Sequence, residues 1–216
     1  MDERAGRVFS IAAAHAPVPG CTVSRTVWQG PAASLAYFSL AKGTDISAEL
    51  YGYPKLQALV AGEALITGAV DASLKPGAAI VTPTDAPVGI RADQDAVFIE
   101  LSMDKETVMT PLIEAGQAFA LKDLVPYQDK RIVNMDIASG PAYKLVVMSF
   151  DAGTSLSEHA APGEALVCAL DGEATITYEG VEHLLRAGEA FKFDAGGRHA
   201  VRADERFKMA LFLARA

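Results

Sequence analysis

The chain has 216 residues, half of them hydrophobic, with a net charge of −8 and a pI of about 5.0. That supports one large core or two smaller ones. The balance of 19 basic against 27 acidic residues argues against the basic face a nucleic acid needs, and no run reaches the ~18 apolar residues of a membrane helix. Two cysteines, Cys21 and Cys168, are too few for a disulfide framework. The opening MDERAGRVFS carries no apolar stretch of the kind a secretion signal needs. The expectation is a cytoplasmic protein with neither nucleic-acid nor membrane partner.

Taken in order, residues 1–102 read as short strands broken by turns. Ser34–Leu40, Ala48–Tyr51, Lys55–Val60, Ala64–Gly68, Ala79–Thr82 and Ala96–Ser102 are strand-like, and Gly43, Gly52, Gly62, Pro76-Gly77 and Pro83 to Pro87 punctuate them. Residues 103–118 form a linker, MDKETVMTPLIEAGQ over Met103–Gln117. Asp104 is placed to cap a short helix over Lys105–Ala115, with Gly116 just past its end, though Pro111 shortens or breaks it. Residues 119–216 return to strands: Lys144–Phe150, Glu164–Leu170, Ala174–Tyr178, Glu182–Leu185, Ala190–Phe193 and Lys208–Ala214. Asp171-Gly172 fits a tight hairpin turn.

The two strand-rich stretches are related. At a constant shift of 110 positions Phe9 falls on Phe119, Val23 on Val133, Gly30-Pro31-Ala32 on Gly140-Pro141-Ala142, and Gly62-Glu63-Ala64 on Gly172-Glu173-Ala174. One inserted residue makes the shift 111, and Gly77 then falls on Gly188 and Arg91-Ala92-Asp93 on Arg202-Ala203-Asp204. Turn residues that match at one shift predict two copies of one all-β unit, each of domain size.

Chemistry-bearing residues gather in the second copy. Gly153–Gly172 reads GTSLSEHAAPGEALVCALDG and Gly188–His199 reads GEAFKFDAGGRH, so His159 and His199 lie at the ends of two apolar, β-like runs. The first stretch resembles the first cupin motif, with Gly153, five residues, His159, and Gly172 closing it. The second resembles the second cupin motif, with Gly188, five residues, Asp194 where proline is usual, then Gly196 and His199. The resemblance spans nearly all of Tyr143–Ala214 and echoes weakly over Leu35–Leu101. It implies two tandem antiparallel barrels of jelly-roll type, an internal pseudo-dimer.

Typical cupins hold a divalent metal (Zn, Ni, Mn or Fe) with two motif-one histidines, a motif-one glutamate and the motif-two histidine. Here Ala161 and Ala165 occupy two of those positions, leaving His159 and His199, with Glu164 a displaced third ligand if Pro162-Gly163 delays the strand. A one-residue displacement otherwise turns a side chain to the opposite face, and catalytic zinc usually keeps three protein ligands. Without metal, the histidine pair suits a small anionic or carbonyl ligand, one imidazole acting as general base. A remnant pair satisfied by backbone or water is the remaining structural reading. At the matching places the first copy has Glu49, Tyr51, Lys55 and Val88, which disfavours a transition metal there. Tyr51, Tyr53 and Gln57 are placed to line a small polar pocket, although a supporting barrel is the simpler reading.

The other candidates are bland: His15 in a loop, His183 exposed on a hairpin strand, Cys168 a packed thiol, one face of the Phe191/Phe193 strand core, and Trp28 over a barrel edge. Cupin relatives include dioxygenases, isomerases, decarboxylases and lyases, so the resemblance selects no reaction. An enzyme on a small molecule, a ligand-binding or sensing module, and a purely structural protein all stay open, as does oligomerisation beyond the internal pair.

Overall fold

Short runs of β-formers between glycine and proline turns become strands wherever one face can be buried. The computed structural model describes residues 1–215. In chain order the strands are β1 (Val8–Phe9), β2 (Thr22–Gln29), β3 (Ala33–Leu40), β4 (Thr44–Glu49), β5 (Lys55–Ala61), β6 (Ala64–Gly68), β7 (Ala72–Leu74), β8 (Ala78–Val81), β9 (Val88–Ala92), β10 (Ala96–Met103), β11 (Val108–Met109), β12 (Ala118–Ala120), β13 (Ile132–Gly140), β14 (Tyr143–Phe150), β15 (Thr154–Ala160), β16 (Glu164–Tyr178), β17 (Val181–Arg186), β18 (Ala190–Phe193), β19 (Arg198–Ala203) and β20 (Phe207–Ala214). A single turn of α-helix, Ile11–Ala14, and a 3₁₀ turn, Leu121–Asp123, complete the regular structure. Among the described residues no helix is long and apolar enough to cross a membrane.

Two compact units result. The first holds Ile11–Thr107 and Pro111–Ala120; the second holds Met1–Ser10, Val108–Thr110 and the chain from Leu121 onward. The first unit has a six-stranded sheet, β12-β8-β5-β10-β3-β2, and a four-stranded one, β4-β9-β6-β7. The same orders recur in the second unit as β1-β18-β16-β20-β14-β13, with β11 added beyond β13, and β15-β19-β16-β17. The long β16 runs through both sheets there. Every pairing is antiparallel, and each unit has a jelly-roll layout.

Each unit closes on its own apolar core. Leu40, Ile66, Ile80, Ile90 and Phe98 fill the first; Phe150, Ile176, Phe191, Phe193 and Phe207 fill the second. Each such side chain contributes about 1.5–3 kcal/mol by leaving water, so the cores hold the sheets together.

Three expectations change. The linker helix does not form: Asp104 caps only a turn, accepting from the Glu106 N–H at 3.2 Å and the Thr107 hydroxyl at 2.9 Å, and β11 and turns occupy the rest. Pro111 and Gly116, the latter at φ 83°, are incompatible with a continuing helix. Asp171-Gly172 makes no hairpin; β16 passes through it on a bulge beside Ala169–Asp171. The first ten residues, read with the first copy, fall in the second unit, where Val8 and Phe9 pair with Phe191 and Ala190.

Candidate functional site

A bulge builds the histidine pair. In the β15–β19 ladder Leu156 faces Val201 and His159 faces His199, with an irregularity between them. Three residues on one strand against two on the other reverse the alternation, as a bulge does. That brings His159 to the same side as His199, Val201 and the core. The ring centroids are 4.2 Å apart, tilted by 54°. His159 is exposed, whereas His199 is buried and stacks on Phe193 at 4.0 Å and 20°.

The backbone fixes both tautomers. His159 Nδ1 lies 2.9 Å from the Ser157 carbonyl, and His199 Nδ1 lies 3.1 Å from the Gly197 carbonyl. A carbonyl only accepts, so each Nδ1 carries a proton, and in the neutral ring each Nε2 presents a lone pair. Burial pushes the His199 pKa down, and His159 adds to that against the opposing Gly197 bond. The Gly197 carbonyl also takes the Ala161 N–H at 3.0 Å, and Gly196 donates back to the Ala161 carbonyl at 2.8 Å. The Asp194–Gly197 turn is therefore tied to the link between β15 and β16. Tyr178 presses on Gly197, where an added Cβ would sit 2.7 Å from its ring.

Glu164 does not join the pair. Its carboxylate bonds Lys192 at 2.7 Å and the Met1 amine. Ala165, the next residue, lies in the core opposite Phe193, so Glu164 faces the other way. Burial alone would raise its pKa; Lys192 and the amine outweigh that and hold it below the usual carboxylate value. Pro162-Gly163 therefore does not delay the strand enough to turn Glu164 inward. Ala161 and Ala165 place methyl groups in the core where the cupin motif would place ligands. Among the described residues no three His, Cys, Asp or Glu side chains gather as a metal group would require. The donor set is two imidazoles, one fewer than the three protein ligands that catalytic zinc usually keeps.

The remaining candidates are placed as follows. His15 packs on Tyr37 with ring centroids 4.7 Å apart. His183, expected to be exposed, is half-buried with its ring 5.1 Å from Phe191. Burial pushes the Cys168 thiol up to about 12, which removes it as a nucleophile. Trp28 is half-buried and folds over Gly30, where a Cβ would come within 2.4 Å of its ring. In the first unit Val88 is buried in the core, while Tyr51, Tyr53 and Gln57 meet Lys55 and Glu100. Sequence spacing found the two histidines but missed Phe193 as the ring under His199 and the bulge that aims His159. The odd spacing between Leu156 and His159 is the one signal of that bulge.

Paired jelly-roll sheets around an apolar core are the fold of a cupin barrel. Residues 146–214 match the family model described as "Cupin domain". The chain is similar to a Cupin 2 conserved barrel domain protein from Leptotrichia buccalis, at 26% identity and TM-score 0.85 over 99% of this chain and 98% of that one. It shares its fold with salicylate 1,2-dioxygenase from Pseudaminobacter salicylatoxidans, at 12% identity and TM-score 0.61 over 85% and 71% of the two chains. A deletion mutant of Bacillus subtilis oxalate decarboxylase has the same fold at 12% identity and TM-score 0.55, over 99% and 78%. None of the curated proteins matches the chain.

Proposed function

We propose that the chain is a two-barrel cupin whose second unit binds a small molecule at the His159–His199 pair. The observation that carries this reading is the anchoring of both Nδ1 atoms on backbone carbonyls, which leaves two adjacent Nε2 lone pairs. Two acceptors side by side repel an anion or a carbonyl oxygen and suit a ligand that brings a proton donor, such as a phenol or alcohol hydroxyl. His199, kept neutral by burial, is then the general base, accepting a proton from the ligand at Nε2. His159, at the exposed edge, orients the ligand.

The test reads the ring nitrogens of both histidines by NMR in the full chain. Catechol serves as a hydroxyl donor, acetate as an anion and Zn²⁺ as a cation, with elemental analysis of the purified protein alongside. The expected result is a saturable shift of both Nε2 signals with catechol, none with acetate at neutral pH, and no stoichiometric metal. His159→Ala and His199→Ala each weaken catechol by about tenfold or more, the worth of one good hydrogen bond. Stoichiometric metal lost on His199→Ala would replace this reading with a metal centre. An absence of shifts with all three probes would leave the barrel structural.

A further inference from the structure

We propose that the first unit carries a binding site of its own, in which Lys55, Gln57 and Glu100 beneath Tyr51 and Tyr53 take a small uncharged polyol. The repeat supplies the internal comparison. Lys55, Gln57, Glu100 and Ser102 correspond to Ala165, Val167, Leu211 and Leu213 of the second unit. Those four are core residues or pack on the core. One copy thus lines the positions with hydrocarbon and the other with polar groups.

The polar set is built, not scattered. Gln57 faces Glu100, and Lys55 faces Ser102, across the β5–β10 ladder. Glu100 Oε1 takes the Lys55 ammonium at 3.2 Å and the Ser102 hydroxyl at 3.1 Å, and Oε2 takes the Gln57 amide N–H at 3.0 Å. Lys55, Gln57 and Glu100 are all buried. A buried ion pair is often no more stabilising than hydrocarbon of the same volume, and the second unit folds with hydrocarbon there. Stability therefore does not account for the cluster.

Gln57 Oε1 is the telling atom. It is buried and has no hydrogen-bond partner. The amide cannot turn to relieve this, because the reverse orientation would set its oxygen against the Glu100 carboxylate. The site therefore asks for a proton donor. Lys55 Nζ lies 3.5 Å over the Tyr51 ring, and Tyr53 is tilted beside it with ring centroids 5.7 Å apart. Tyr53 and Ser102 also line a cleft of about 380 Å³, together with Gln29, Ser34 and Asp104. Ser102, which donates to Glu100, is the residue the cleft shares with the buried cluster.

Charge selects the ligand class. Lys55 and Glu100 neutralise each other, so an anion meets Glu100 and the nearby Glu49, which holds the Tyr51 hydroxyl, and a cation meets Lys55. A neutral molecule with several hydroxyls can donate to Gln57 Oε1, accept from Lys55 and lay its C–H face on Tyr53.

The experiment follows the Gln57 side-chain amide and Tyr53 ring signals by NMR in the full chain during titration with D-glucose, D-xylose and myo-inositol, with acetate and tetramethylammonium as charged controls. We expect saturable shifts with at least one polyol and with neither control. Those shifts persist in His199→Ala and weaken by about tenfold or more in Gln57→Leu and in the surface variant Tyr53→Ala. No saturable shift with any of the three, or binding that survives Tyr53→Ala and is lost in His199→Ala, overturns the proposal. So does a crystal soaked in the polyols that shows only a water on Gln57 Oε1.

Discussion

Burial and a neighbouring imidazole act in the same direction on His199, and both favour its neutral form. The unfolded chain therefore binds this proton more readily than the folded one. His199 leaves stability intact above the unfolded pKa of about 6.5 and erodes it as the pH falls below that value. Asp151 and Glu164, whose pKa values are held low, lose their contributions only in more acid solution, below about pH 4. Thermal melts between pH 8 and pH 5 should show a decline in the wild type that is smaller in His199→Gln; equal declines would remove His199 as the cause. Glu164 calls for a second prediction. Its replacement by alanine leaves the nearly buried Lys192 with Asp194 alone, at 2.8 Å, and should cost about 1–3 kcal/mol in urea unfolding. Catechol binding at the histidines should not change, because Glu164 faces away from them. A loss of binding would contradict that geometry. Sequence spacing showed Glu164 one residue out of phase but not its partner, because Lys192 lies on a strand that sequence order does not bring near.

At the scale of elements, the most legible features were those set by backbone need. Gly62 and Gly172, matched by the repeat, adopt φ of 79° and 68°. In each, an added Cβ would sit 1.9 Å from a backbone carbonyl, that of Asp95 and of Arg206 respectively. A side chain is excluded twice over at both positions, so glycine marks both places in the sequence. The strands Ala64–Gly68 and Ala190–Phe193 were read to the residue because flanking turns bound them. Strands β2 and β13 escaped notice: their outer residues are mostly exposed or half-buried, and their apolar alternation is weak. The two-residue strands β1 and β11 carry too little pattern to be seen at all. Yet β1 covers the edge of β18, and Gly6 N–H donates to the Lys192 carbonyl at 3.2 Å. Removing residues 1–10 opens that edge and uncovers the Lys192–Glu164 pair. The melting midpoint of the second unit should fall by at least about 4 °C, the equivalent of 1–2 kcal/mol in a chain of this size. An unchanged midpoint would show the arm to be dispensable.

For the whole molecule, the repeat exposes an exchange of terminal strands. Val8–Phe9 matches Ala118–Phe119 at the repeat shift, and their pairings match too: Val8 with Phe191 and Phe9 with Ala190, Ala118 with Ile80 and Phe119 with Ala79. Each copy therefore contributes its first strand to the unit formed by the rest of the other copy. Sequence comparison finds the copies but does not assign this strand, because the two arms and the two edges they pair with match at the same repeat shift. The exchange sets where the chain can be cut. A fragment of residues 11–120 contains every strand of the first unit, including β12. A fragment of residues 1–102, the repeat as sequence delimits it, lacks β12 and leaves the β8 edge unpaired, with β1 lacking its own partner. Unpaired edges invite association. The longer fragment should give a dispersed amide NMR spectrum and a cooperative melt as a monomer. The shorter should associate or melt lower, and adding a peptide of residues 111–120 should restore part of the difference. If 1–102 proves as stable and monomeric as 11–120, then β1 serves the β8 edge as well as β12 does, and the exchange is a matter of connectivity with no part in stability.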